Sequence, residues 1–198
     1  MLAYIKGSLE MKFDNYVVID VGGLGYKVFM SEKSMEEIGN IGDTIKVHTH
    51  YRVREDDISI YGFLTNEELK MFELLLGVSG IGAKSAITML SNITPSSFAL
   101  AVITNDTSKL VKIPGIGAKS AARIILELKD KLKTVEATKD NEEIKEAIKE
   151  DNKVTEAISA LQVLGYNRKE IEKAFEKINI DTLSLEEIIR KGLSILGM

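Results

Sequence analysis

The hydrophobic pattern of this chain changes period once, near residue 63. Before that point apolar and polar positions alternate as they do in half-buried strands. Tyr16-Val17-Val18-Ile19-Asp20-Val21 is a β-branched run that meets a turn at Gly22-Gly23-Leu24-Gly25, and Tyr26-Lys27-Val28-Phe29 alternates after it. Thr44-Ile45-Lys46-Val47-His48-Thr49-His50-Tyr51 alternates again, and Ile58-Ser59-Ile60-Tyr61 follows an acidic turn. With residues 2–9 this predicts about five short strands separated by glycine turns, the pattern of a small closed or partly closed barrel. Residues 31–38 read as a helical turn or two between strands.

From Thr65 the period is helical. Thr65-Asn66-Glu67-Glu68 has the form of a capping box, and Leu69, Phe72, Leu75 and Leu76 mark the apolar face that follows. Thr94-Pro95 reads as an N-cap with proline at the first helical position. Residues 118–133 form an amphipathic helix whose end carries Lys129, Lys131 and Lys133, which suit a helix C-terminus. Residues 134–152 are charged and lack an apolar stripe beyond Ile144 and Ile148, so they read as a flexible linker. Val154, Ala157, Ile158, Leu161 and Leu164 then recur at helical spacing, Gly165-Tyr166 ends that helix, residues 171–178 form a second, and Ser184-Leu185-Glu186-Glu187 caps a third.

Within the helical region one segment is repeated. Gly80-Ile81-Gly82-Ala83-Lys84-Ser85-Ala86 recurs unchanged as Gly115-Ile116-Gly117-Ala118-Lys119-Ser120-Ala121. Each copy follows an apolar helix or turn and opens a helical run. A helix, a Gly-Ile-Gly hairpin and a second helix can be a tight packing unit alone, or can hold a phosphate: glycine admits positive φ and close backbone approach. Ile81 and Ile116 are expected to anchor the hairpins in the core. The next helix presents free N–H groups and its positive dipole end. Lys84 and Lys119 add a charge one turn further on. Such sites hold the sugar-phosphate backbone without reading bases.

Charge supports this placement. The whole chain has 26 Lys and Arg against 30 Asp and Glu, a net charge of −4. Only residues 63–133 are basic, with nine cationic side chains against six acidic ones. Polyanion attraction is local, so a basic segment can bind phosphate inside an acidic protein. There is no cysteine, which excludes disulfides and thiolate metal sites and fits a reducing, cytoplasmic compartment. No apolar run approaches the length of a membrane span, and no signal peptide is visible. His48 and His50 share one strand face, but two ligands make no metal site, and neither metal nor cofactor is expected.

A β-barrel ending in Tyr51-Arg52-Val53-Arg54-Glu55-Asp56 and Ile60-Tyr61-Gly62-Phe63, followed by the doubled hairpin and by Leu161-Gln162-Val163-Leu164-Gly165-Tyr166, resembles the RuvA family. The resemblance covers nearly the whole chain. It implies an α+β multidomain protein: an oligonucleotide-binding-fold (OB) barrel over residues 1–63, a tandem helix-hairpin-helix DNA-binding domain over 64–133, the linker over 134–152, and a three-helix, UBA-like motor-binding domain over 153–198. It further implies a non-catalytic subunit that holds four-way (Holliday) junction DNA and directs a RuvB-type hexameric ATPase motor in branch migration, during recombination and repair. A RuvC-type resolvase is a further implied partner, and the implied assembly is a homotetramer or octamer. Residue by residue, the backbone-binding hairpins map onto Gly80, Gly82, Lys84, Gly115, Gly117 and Lys119, with Ser85, Ser120 and Arg123 as helpers. An acidic pin at the junction centre maps onto Glu55 and Asp56, where carboxylates repel converging phosphates. Whether Asp57 joins it is open. Arg123 has an alternative partner in Glu127, four residues on. Leu161 and Leu164 match motor-binding leucines but also fit core spacing.

Three other readings fit the residues less well. Gly77-Val78-Ser79-Gly80-Ile81-Gly82-Ala83-Lys84-Ser85 nearly fits a nucleotide-binding loop, but Ala83 puts the lysine out of register and the second copy has Lys112 in place of the first glycine. A repair glycosylase, nuclease or ligase fragment would need a catalytic cluster that the sequence does not offer. A pure protein scaffold would leave the two lysines without a purpose.

Overall fold

The computed structural model describes residues 2–55, 57–137, 152–180 and 182–197. The first unit comprises Met1–Leu76 with Gly82–Ile93, and the second Gly77–Ile81 with Thr94–Met198.

In the first unit, strands β1 (Tyr4–Lys12), β2 (Tyr16–Val21), β3 (Leu24–Phe29), β4 (Thr44–Val53) and β5 (Ile58–Phe63) close into a barrel in the order β1-β2-β3-β5-β4. All pairs are antiparallel except β3 with β5. Alternation does what the sequence predicts: Ile5, Leu9, Val17, Ile19, Val28, Ile45 and Val47 point inward and are buried, and Met35 and Ile38, on and just after helix α1 (Glu32–Glu37), join them. The β2–β3 turn is tighter than the glycine cluster suggests. Val21 pairs with Leu24, so only Gly22 and Gly23 turn, both at positive φ, while Leu24 and Gly25 belong to β3. A two-residue loop with two positive φ values matches the strand twist, so the turn needs no more of the cluster.

β1 serves two neighbours. It pairs with β4 from Tyr4 to Ser8 and with β2 from Ser8 to Lys12, with a bulge between Leu9 and Met11. This bend closes the cylinder.

Helix α2 (Asn66–Leu76) starts at the expected capping box: Glu68 N–H donates to Thr65 Oγ1 at 3.3 Å, and the Glu68 carboxylate accepts from the Thr65 and Leu64 amides at 3.4 and 3.0 Å. The helix lies on β4 and β5, with Phe72 fully buried against Tyr61, Phe63 and His50. Burial raises the Glu68 carboxyl above its ordinary range; the Thr65 and Leu64 amides and Lys33 oppose this, and Glu37 adds to it. The folded chain therefore holds this proton more tightly than the unfolded one. The resulting stabilisation is present below the unfolded value and lost as pH rises through the raised folded value. Glu68→Gln keeps an acceptor and removes the titration. Its urea midpoint is expected to match the parent's near about pH 4 and exceed it near about pH 7. A lower midpoint at the higher pH would mean that the charged carboxylate strengthens the cap. Helix α3 (Ala83–Asn92) completes the unit, and its Ser91 hydroxyl accepts from the Glu32 amide at 3.1 Å.

The second unit is helical: α4 (Pro95–Ile103), α5 (Thr107–Val111), α6 (Ala118–Ala137), α7 (Asn152–Val163), α8 (Arg168–Phe175) and α9 (Leu185–Leu196). Thr94 caps α4 as expected, accepting from Ser97 N–H at 3.2 Å. α4 ends with Asn105 at positive φ, whose amide and that of Asp106 return to Val102 and Ala101, closing the last turn. α6 runs beyond Lys133 to Ala137. Residues 138–151, the greater part of the expected linker, lie outside the described residues. Gly165 ends α7 at positive φ with the bond pair that closes a Schellman turn. Both following helices open with capping boxes, Asn167 with Glu170 and Ser184 with Glu187. Gly192 of α9 lets Leu161 and Phe175 approach closely.

Candidate nucleic-acid interface

The two copies of the repeat adopt the same local conformation. Gly80 and Gly115 have φ of 83° and 81°. One residue later the Ile81 amide donates to Val78 O at 3.1 Å, and the Ile116 amide to Ile113 O at 3.0 Å. The next helix then begins, with Ala86 N–H reaching Gly82 O at 3.0 Å and Ala121 N–H reaching Gly117 O at 2.9 Å. So the first glycine of each copy supplies the positive φ, which L side chains rarely adopt. The second glycine has a different task. Gly82 is the N-cap of α3, extended at φ −94° and ψ 171°, and no side chain caps the helix there. No N-cap side chain takes its first-turn N–H groups, and such groups can take an anion.

Most of the expected contact residues are accessible. Gly80, Gly82, Lys84, Gly115, Gly117, Lys119 and Arg123 are exposed, and Ser85 and Ser120 half-buried. The anchors differ from expectation in one copy. Ile116 is buried, with Val78 and Ile113 buried at the start of each hairpin, but Ile81 is only half-buried. Each hairpin is thus held first by the residue two before its positive-φ glycine, and the first copy leaves its central isoleucine partly in solvent.

Arg123 does not stand clear of the protein. Its Nη1 donates to the Ser79 carbonyl at 3.4 Å, and the Glu127 carboxylate accepts from the Ser79 amide at 3.0 Å. Two side chains of α6 thereby hold the two peptide groups that flank Ser79 of the first hairpin, a contact whose only trace in the sequence is their four-residue spacing.

The β4–β5 hairpin projects an acidic tip. Val53 and Ile58 form its last pair, Arg54 N–H donates to Asp57 O at 2.8 Å, and Glu55 is exposed. Asp56 lies outside the described residues. Asp57 is turned back on its own hairpin, its carboxylate accepting from the Ser59 hydroxyl. Further along the chain, Leu161 and Leu164 are both buried, at 0% and 1% exposure. His50 Nδ1 lies 3.1 Å from the Glu73 carboxylate, and among the described residues no group of three or more His, Asp or Glu is placed to hold a metal.

Against known families, residues 1–62 match the RuvA N-terminal domain, residues 72–130 the SAM-like helix-hairpin-helix tandem, and residues 152–197 the RuvA C-terminal domain. A protein of Acetivibrio thermocellus named Holliday junction branch migration complex subunit RuvA is 48% identical over 100% of this chain and 99% of its own length.

The chain belongs to the RuvA family.

Proteins of the same name from Ruminiclostridium cellulolyticum and Clostridium perfringens are 46% and 42% identical, each over 99% or more of both chains. The closed barrel, the helical hairpin region and the C-terminal helices are the RuvA-family architecture, in the expected order. Among the described residues no single helix is long and apolar enough to cross a membrane.

Proposed function

We propose that this chain is the non-catalytic subunit that binds four-way junction DNA and directs a RuvB-type ATP-driven motor in branch migration, serving recombination and repair in the cytoplasm. The observation that carries the reading is the doubled hairpin: two sites of one conformation, each joining a positive-φ glycine, a helix start and a lysine as the second helical residue. Each site suits a backbone phosphate, which it would hold by N–H groups, dipole and charge together, irrespective of sequence. Lys84 and Lys119 supply the charge, with Ser85 and Ser120 as neighbouring donors. The relatives' shared name supports the junction as the DNA and branch migration as the process.

In this reading residues 1–63, 64–133 and 153–198 divide the labour as barrel, DNA-holding region and motor-binding region, joined by 134–152. Four chains, or two rings of four, surround one junction, and Glu55 and Asp56 of each crowd its centre. Carboxylates there repel the phosphates of exchanging strands and keep the crossover open. The buried Leu161 and Leu164 serve motor binding by holding the surface of the third bundle in shape. A RuvC-type resolvase is a further partner of the assembly.

The test is a gel-shift titration at one stated salt concentration, comparing a synthetic four-way junction with linear duplex of the same sequence under excess duplex competitor. Solution mass is measured in parallel. The expected result is strong junction preference by a tetramer or octamer. Equal affinity for both DNAs would reduce the chain to a general helix-hairpin-helix DNA binder.

A further inference from the structure

The two hairpins are alike from Gly80 and Gly115 onward, but not one residue earlier. The first has Ser79 where the second has Pro114. Proline fixes its own φ and has no amide hydrogen, so the second hairpin enters its glycine turn already constrained. Ser79 has neither restraint, and α6 holds its backbone on both sides instead: amide to Glu127 at 3.0 Å, carbonyl to Arg123 at 3.4 Å. The Arg123 guanidinium also passes within 3.4 Å of where a side chain on Gly80 would begin. The matching positions of α3 are spent differently. Thr88, the counterpart of Arg123, donates to Lys84 O at 3.0 Å, and Asn92, the counterpart of Glu127, donates to Thr88 O at 2.8 Å. The sequence repeat is therefore not a repeat of roles.

We infer that Glu127 and Arg123 are positioning residues that brace the first hairpin through Ser79, doing for it what proline does for the second. This rests on the DNA reading above, since it assigns the brace a part in phosphate binding. Glu127 is the informative member because two accounts of it give opposite signs. A carboxylate acting only by its charge would repel DNA, so its removal would tighten binding. A brace loosens the hairpin when removed and weakens binding.

The experiment uses the full chain with Glu127→Ala and Glu127→Gln, alone and combined with Lys84→Ala or Lys119→Ala, titrated against a four-way junction at fixed salt. Glu127→Ala is expected to weaken binding by roughly 5- to 10-fold. Glu127→Gln, whose amide oxygen still accepts the Ser79 hydrogen, is expected to bind at least as tightly as the parent. Hydrogen exchange in Glu127→Ala is expected to quicken at Ser79 to Ile81 and not at Gly115 to Gly117. The weakening should overlap with that of Lys84→Ala, which acts on the first hairpin, and add fully to that of Lys119→Ala. As a second route, Ser79→Pro gives the first hairpin the second's residue, and Glu127→Ala in that background is expected to change affinity by less than about twofold. Unchanged exchange at Ser79, or equal additivity with both lysines, would overturn the brace. If neither lysine substitution weakens binding, it is the DNA reading that fails instead.

Discussion

Gly7→Ala is expected to destabilise the barrel by about 3 kcal/mol, a large share of a small domain's stability. A Cβ at Gly7 would fall on the Asp20 carbonyl oxygen and lie 2.9 Å from its carbonyl carbon. The obstacle is backbone, so no rotamer change relieves it. It also lies at the closure point, where β1 pairs with β4 through Ser8 and takes up β2 from Ser8 onward. The strands must separate there or the glycine must stay. Urea unfolding measures the effect as a fall in midpoint at unchanged slope. Gly25→Ala is the control: its nearest obstacle is the Val18 side chain at 3.1 Å, which can turn away. Equal, small losses at both positions would mean that β1 bends more freely than its pairing implies.

The double substitution Lys84→Ala with Lys119→Ala is expected to weaken junction binding by roughly 10- to 100-fold near physiological salt, with a shallower dependence on salt concentration. The slope should fall by about one unit for each phosphate that is no longer neutralised, since each neutralised phosphate releases counterions. Both side chains are exposed, so the fold itself should be little affected. Thermal unfolding at the parent temperature would confirm that binding, rather than stability, has changed. An unchanged slope would show that these lysines face no phosphate and would leave a scaffold role for the repeat.

The sequence makes the elements legible wherever a local rule decides them. The strands follow from inward alternation at Val17, Ile19, Ile45 and Val47, and α2, α4 and α9 begin at caps written in three or four residues. The Asn167 to Glu170 box carries the same signature in the same number of residues. Less legible is whatever depends on partners distant in the chain. The parallel pairing of β3 with β5, which closes the barrel, leaves no mark on either strand's alternation. Ile81 and Ile116 stand in identical local sequence, yet only Ile116 is buried, because burial is set by what packs above rather than by neighbours in the chain. For the same reason the repeat is visible in the sequence and its asymmetry is not: the hold on Ser79 comes from residues 44 and 48 positions away. Leu161 and Leu164 fit two roles by spacing, and both are buried.

No side chain caps the N-terminus of α3. Gly82 has no positive φ, and a side chain added there would meet nothing within 4 Å; the same holds for Gly117. Neither backbone demands glycine, and serine at an N-cap would satisfy a first-turn N–H at no steric cost. It would also occupy the position that the proposed phosphate needs. If these residues hold DNA as proposed, robustness of the fold and grip on phosphate compete at them, and improving the free protein there would make it a poorer DNA binder.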